Sequence, residues 1–238
     1  MKPLFLIVLL AVSASATPFT EFESRVTASA LKPFALDMGG VLGGLSLWNG
    51  RSLGFPGFEA GVMGAAQNRP DRDALVLRNS GVGTFGLPVA HAAVGLPLKF
   101  DLVLHGFSID RVTLIGGGIR YGIFKSGLLT KWLPNVGVSA FGDSAEHPSF
   151  RLLHGSLNAA AGWDLPFVQP FVGAGVDSTQ AKIKAAAVPG ALGAKATATG
   201  TRLNAGIDVT PFPFLRLRLA AMLLHGLPGF STGLFVKF

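Results

Sequence analysis

The chain has 238 residues and contains no cysteine, few charged residues and few long apolar runs. The absence of cysteine excludes disulfide frameworks, thiolate metal sites and cysteine nucleophiles. Only 14% of the residues are charged while 49% are hydrophobic, which excludes a disordered chain and a solvated helical bundle. After residue 16, no stretch approaches about 18 apolar residues without a charge or a Pro-Gly break, so the sequence predicts no membrane-spanning helix.

Residues 1–16 have the pattern of a secretory signal peptide. Lys2 supplies the basic start, Leu4 to Val12 the apolar stretch, and Ala14-Ser15-Ala16 a small-residue cleavage site. The apolar stretch is well short of the roughly 20 residues that a membrane-spanning helix needs. The sequence therefore predicts an exported protein.

The rest of the chain is dominated by segments in which apolar residues alternate with small or polar ones. A period of two is that of a β-strand, whose side chains point alternately to its two faces. In each segment one face is apolar, and the other is rich in Gly, Ala and Ser with one or two charges. Ten such segments are present: 58–62, 90–95, 99–105, 115–123, 135–141, 153–163, 168–177, 202–209, 215–223 and 230–238.

A soluble β-sandwich would also alternate, but its outward face carries many charges. The links between the segments favour a different architecture, because short and long links follow one another as in transmembrane barrels. The short links are 95–98, 164–165 and 210–213, and the long ones are 67–85, 142–148 and 179–200, with a mobile loop predicted at 181–200. The predicted fold is all-β: a closed antiparallel transmembrane β-barrel of about ten strands over 53–238, in a Gram-negative outer membrane.

Residues 17–52 do not alternate and predict a short N-terminal helical segment. Thr20 and Glu23 form a capping box, and Phe19, Phe22, Val26 and Ala30 have near-helical spacing. A second helix is predicted over 33–38, followed by the glycine pairs 39–40 and 43–44. Because the segment precedes the first strand, it is expected to start on the periplasmic side. It lies beneath the barrel mouth, enters the lumen as a plug, or is an exposed leader.

Strand parity predicts which polar residues face the lumen. This set contains both acidic and basic residues: Glu59, Lys99, Asp101, Arg120, His154, Arg202, Asp208, Arg216 and Arg218. A charge buried in a barrel must be paired or hydrated. The set therefore predicts either an ion-pair network that fills a narrow barrel or a basic lining that attracts anionic solutes.

The end of the chain resembles the terminal signal that the assembly machinery of bacterial outer-membrane barrels reads. This signal is carried by Phe230, Leu234, Val236 and Phe238. The N-terminal helix with its glycine-rich exit, 95–97 leading into 100–107, and the stretches 116–124 and 128–134 resemble an uncharacterised family of bacterial outer-membrane barrels. That family belongs to the barrel superfamily that includes the long-chain fatty-acid transporters. The resemblance implies a barrel with an N-terminal element and no established biochemistry. The transporters are much longer, so their ligand residues do not carry over.

Two residue groups resemble parts of outer-membrane enzymes. His154, Ser156 and Asn158 are similar to the Ser-His pattern of lipid A deacylases, but parity turns them to the lumen instead of the lipid. Asp143, Glu146 and His147 share one predicted external loop. They are similar to the Asp and His residues that omptin proteases, also ten-stranded, use at the external rim, but the motif of that family is absent around them. The sequence therefore predicts no enzyme, no cofactor and no metal site.

The leading predicted function is a passive channel or transporter for small apolar or anionic solutes. A non-conducting structural barrel is the alternative, since barrels of this size have little interior room, and a hydrolase is the least favoured function. The formal net charge of +7 predicts contact with lipopolysaccharide phosphates, and not with nucleic acid. The predicted partners are outer-membrane lipid, lipopolysaccharide and the barrel-assembly machinery.

Overall fold

The computed structural model describes residues 19, 22–109, 111–127, 130 and 132–238. The predicted signal peptide and Thr20 of the predicted capping box lie outside these residues. Among the helices of the described part, none is long and apolar enough to cross a bilayer.

Ten strands pair in chain order, and the last closes on the first. They form a closed antiparallel barrel, which confirms the fold class predicted from the alternating pattern. The strands are β1 (Phe58–Gln67), β2 (Phe85–Gly95), β3 (Phe100–Ile109), β4 (Val112–Phe124), β5 (Asn135–Glu146), β6 (Phe150–Gly162), β7 (Val168–Ile183), β8 (Lys195–Phe212), β9 (Leu215–Leu224) and β10 (Leu227–Lys237).

The two faces of the wall differ as the alternation requires. Apolar side chains such as Leu104, Ile115 and Leu157 point outward and are 60–69% exposed, while the residues between them face the interior. The pairing of β1 with β10 closes the barrel, in a register that places Glu59 opposite Lys237. We call the end at which β1 begins the proximal end, and the end at which β1 finishes the distal end.

Several links differ from the prediction, because the strands extend further toward the distal end. The segment 179–200 is not a long loop. β7 and β8 pair as far as Lys182 and Lys195, so the connection between them is only 184–194. Similarly, β5 runs to Glu146, and only 147–149 separate it from β6. Pairing satisfies the backbone N–H and C=O groups of these stretches, which a loop would leave to water. At the proximal end, the connection 125–134 is as long as the predicted segments leave it, and it is longer than the other proximal connections.

Three α-helices accompany the barrel in the described part of the chain: α1 (Phe22–Arg25), α2 (Leu31–Gly44) and α3 (Leu75–Asn79), which lies in the connection between β1 and β2. The first predicted helix is therefore reduced to one turn. The second is longer than the predicted 33–38, because the two glycine pairs lie inside it. Their role is close packing, since a side chain at Gly39 would overlap Thr179, and one at Gly43 would overlap Arg202.

The N-terminal segment runs through the lumen from the distal to the proximal end. At the distal end Phe22 and Phe34 pack on Phe150 at the start of β6, and the Ala187 N–H donates to the Glu23 carbonyl over 2.9 Å. α2 then descends against β7 and β8, and residues 45–57 lead to β1. The segment was expected to begin at the mouth where β1 starts. That expectation is wrong, because α1 lies at the opposite end.

Replacement of Gly43 by Leu tests this packing. Leu has a higher helix propensity than Gly by up to about 1 kcal/mol, so propensity alone predicts a more stable helix. We expect instead that Gly43→Leu lowers the free energy of unfolding by about 1–3 kcal/mol, because the side chain overlaps Arg202 and Asp177. The measurement is urea unfolding of the protein in detergent micelles, and the control is Lys32→Leu at an exposed position of α2. Equal stability of the two variants would contradict the packing.

Candidate functional site in the barrel lumen

The part of the lumen toward the distal end, which we call the upper part, contains a chain of histidine and aspartate side chains. His105 Nε2 lies 2.6 Å from Asp143 Oδ1. His154 Nε2 lies between two carboxylates, at 3.9 Å from Asp143 and 3.8 Å from Asp177. Arg202 Nη1 donates to both oxygens of Asp177 at 2.7 Å. We call these five residues the upper cluster, which contains two histidines, two carboxylates and one guanidinium group.

The contact between His105 and Asp143 depends on a glycine. These residues lie on β3 and β5, with β4 between them, and both are in register with Gly116 of β4. A Cβ atom at Gly116 would overlap both His105 Nε2 and Asp143 Oδ1. The absence of a side chain therefore allows two groups to meet across an intervening strand.

The part of the lumen toward the proximal end, which we call the lower part, is built around two arginines of β9. Arg218 forms a two-pronged ion pair with Asp208, at 2.7 and 2.8 Å, a geometry that is among the strongest charge-assisted contacts. Arg216 contacts Glu59 and lies 3.7 Å from Asp208. Both guanidinium groups stand over the Phe235 ring, at 5.1 and 5.5 Å from its centroid. We call Glu59, Asp208, Arg216 and Arg218 the lower cluster.

Arg120 and Asp101 lie beside the lower cluster and face the N-terminal segment. The Arg120 guanidinium is 5.5 Å from the Trp48 ring centroid and 5.8 Å from that of Phe141, which is cation–π distance. Asp101 accepts hydrogen bonds from the Ser52 hydroxyl and the Leu53 N–H, both at 2.9 Å.

Both clusters bind the segment that fills the barrel. Arg202 donates to the Ser46 hydroxyl over 3.2 Å, and Arg218 donates to the Leu47 carbonyl over 2.5 Å. A water-filled pore would leave its lining accessible, yet Arg202, Arg218 and Asp208 are 2% exposed or less. The charged residues of the wall therefore hold the N-terminal segment in place, and side chains fill the lumen at this level.

Eight of the nine predicted lumen residues lie buried inside the barrel: Glu59, Asp101, Arg120, His154, Arg202, Asp208, Arg216 and Arg218. Lys99 does not, and its prediction is wrong. It precedes β3 in a short turn with φ +66, is exposed, and its ammonium donates to the Ile123 carbonyl. The alternation was extended one residue too far, into a turn at the proximal end.

Sequence reasoning missed three members of the upper cluster, namely His105, Asp143 and Asp177. Their parity is that of the lumen face, and this signal was sufficient for His105 and Asp177. Asp143 was assigned to a loop because β5 was ended too early. With these residues included, the buried carboxylates are Asp37 of α2 and Glu59, Asp101, Asp143, Asp177 and Asp208 of the wall. They outnumber the four buried arginines and the half-buried Lys237, so the described lumen has no basic excess.

Members of the two enzyme-like groups contact other partners in the described structure. His154 Nδ1 lies 2.8 Å from the Thr179 hydroxyl, whereas Ser156 accepts a hydrogen bond from Asn158. Asp143 is buried on β5, and Glu146 pairs with Arg151 at 2.8 Å.

His147 lies in the connection between β5 and β6 and stacks on Phe150. Burial lowers its pKa below the ordinary value, and the Glu23 carboxylate acts in the opposite direction. No cluster of three or more His, Asp or Glu suited to a metal ion occurs among the described residues.

The predicted assembly signal lies on the outer surface of β10 and at the chain end. Phe230 and Phe238 are exposed at 36% and 77%, and Leu234 and Val236 are partly exposed. β10 pairs with both β9 and β1, so these side chains follow the seam at which the barrel closes.

No family model matches the chain, and no curated protein matches it. Among solved structures, Neisserial surface protein A is 13% identical, with coverage of 76% of this chain and 94% of that one, at a TM-score of 0.32. Ail, the attachment invasion locus protein of Yersinia pestis, solved with a heparin analogue, is 14% identical, with coverage of 77% and 100% at a TM-score of 0.33. A Rh. blastica porin mutant is 9% identical, with coverage of 76% and 99% at 0.23. Likeness at this level carries no information on ligand or activity, and the similarity to fatty-acid transporters stays a prediction.

Replacement of Arg202 tests whether the upper cluster stabilises the barrel. We expect Arg202→Met to lower the free energy of unfolding by about 3–5 kcal/mol, because Asp177 is left as an unpaired buried charge. The double variant Asp177→Asn/Arg202→Met removes both charges and should recover much of this loss. Urea unfolding in micelles measures both changes.

The control is Arg151→Met, whose ion pair with Glu146 is half exposed and should contribute less than about 1 kcal/mol. If Arg202→Met costs no more than Arg151→Met, the cluster does not have the stabilising role described.

Proposed function

We propose that this protein is an outer-membrane β-barrel that its own N-terminal segment keeps closed, and that it is non-conducting in this state. The observation that supports the membrane location is the apolar outer wall, on which Leu104, Ile115 and Leu157 are among the most exposed strand residues. In hydrocarbon every backbone polar group needs an internal partner, and a closed barrel provides one along each strand. An apolar face of this extent on a soluble barrel would favour aggregation.

The lengths of the connections support an orientation. The two longest connections, 68–84 and 184–194, lie at the distal end. The next longest, 125–134, is an exception and lies at the proximal end. Outer-membrane barrels place their longer loops outside the cell. The distal end is therefore the external one, and α1 lies at the cell surface. Exposed basic residues of the distal end can meet lipopolysaccharide phosphates: Arg69, Arg72, Arg78, Lys182 and Lys195.

The closed state is supported by the way α2 occupies the lumen. Its residues from Asp37 to Gly44 are all buried, and both charged clusters are nearly inaccessible. The lumen has no basic excess among the described residues, which gives no support to an anion-attracting pore. Passage of small apolar or anionic solutes would require α2 to leave, and among the predicted functions the structural barrel fits the geometry better.

Planar-bilayer recording tests the closure. We expect no conductance steps from the full mature chain, because α2 and the two clusters fill the lumen. A variant that lacks residues 17–44 should show steps, since an empty space of helix diameter, about 10 Å, is left. The deletion leaves Arg202 and Asp177 on the wall, where water can hydrate them.

Lys32→Ala, which keeps α2 intact, is the matched control and should stay silent. Steps of equal size from the full chain and the deletion variant would show that α2 does not close the barrel, and the proposal would then be rejected.

A further inference from the structure

A cavity lies at the proximal mouth, next to the lower cluster, with which it shares Arg216. Its volume is about 390 Å³, within the range of small-molecule sites. The end of the N-terminal segment, the turns before β7 and β9, and the final residues of β10 form its wall. The cavity is therefore made by the barrel and the plug together.

The wall of this cavity carries three basic side chains, Arg51, Arg216 and Lys237, and no acidic residue among those described. Two of the charges are matched by carboxylates behind the wall: Arg51 lies 3.0 Å from Asp164, and Arg216 contacts Glu59. In the described part of the chain, the Lys237 ammonium has no carboxylate within ion-pair distance. The site therefore has one positive charge in excess.

Much of the remaining wall is apolar. Phe167, Leu215 and the Pro211-Phe212-Pro213 turn line it. Phe167 has φ +64, an unfavourable conformation for a bulky residue, and such strain is concentrated at functional positions. The Asn49 and Gln169 amides add hydrogen-bonding groups between the basic and apolar parts.

We propose that this cavity binds a small organic monoanion that has an apolar body. The anionic group meets Lys237 between Arg51 and Arg216, and the body lies against Phe167, Phe212 and Leu215. A single negative charge matches the single unpaired cation, and an apolar body would displace water from the ring-lined side. The proposal depends on the proximal cavity alone and holds whether or not the lumen conducts.

Isothermal titration calorimetry on the full mature chain in zwitterionic nanodiscs tests the site, with empty nanodiscs as the blank. The probe is benzenesulfonate. Benzenesulfonamide has the same shape without the charge, and methanesulfonate has the charge without the ring. We expect benzenesulfonate to bind at least about tenfold more tightly than either, since both the charge-assisted contact and the apolar contact are needed.

Lys237→Gln should weaken benzenesulfonate binding by about tenfold, whereas Lys195→Gln, which removes an exposed lysine at the distal end, should leave it unchanged. A heat-modifiability gel checks that each variant is a folded barrel. The proposal is overturned if benzenesulfonate does not bind, if either analogue binds equally well, or if the two lysine variants behave alike.

Discussion

The structure depends on one constraint, which is that charges enclosed in a narrow barrel must find partners there. Asp177 and Arg202 pair in the upper lumen, and Asp208 and Arg218 pair in the lower lumen. The N-terminal segment supplies further partners. The Leu47 carbonyl accepts a hydrogen bond from Arg218, the Ser46 hydroxyl accepts one from Arg202, and the Leu53 N–H donates to Asp101 of β3. The charged side chains of the barrel wall therefore use the N-terminal segment as a hydrogen-bonding partner, and the packed interior is formed by both together.

Glycine makes this arrangement sterically possible. The chain contains 32 glycines, and the informative ones lie where two elements approach closely. Gly116 allows His105 and Asp143 to meet across β4, and Gly43 lets α2 approach the Arg202 ion pair. In a helix interior glycine costs about 1 kcal/mol relative to alanine. Here that local cost is offset by packing and pairing that a larger residue would prevent.

The sequence was sufficient for the barrel, because period-two alternation depends on each strand separately. It located the inward face of all ten strands, and eight of the nine residues that parity predicted for the lumen are buried there. It failed where the outcome depends on contacts distant in sequence. The third strand was predicted to include Lys99, but β3 begins one residue later. Asp143 was predicted to lie in a loop, but it belongs to the paired part of β5. Gly39 was interpreted as the end of a helix, but it lies inside α2. The direction of the N-terminal segment was also wrong, since no local pattern specifies which end of a barrel a preceding helix reaches.

The threading of the segment through the barrel and the proposed membrane location of that barrel can be tested together, because the chain has no native cysteine. Ala28→Cys is at an exposed position of the distal end, and Lys125→Cys is at an exposed position of the proximal end. Labelling with a membrane-impermeant maleimide should modify Ala28→Cys in intact cells, and Lys125→Cys only after the outer membrane is permeabilised. Labelling of Lys125→Cys but not Ala28→Cys in intact cells would contradict the account.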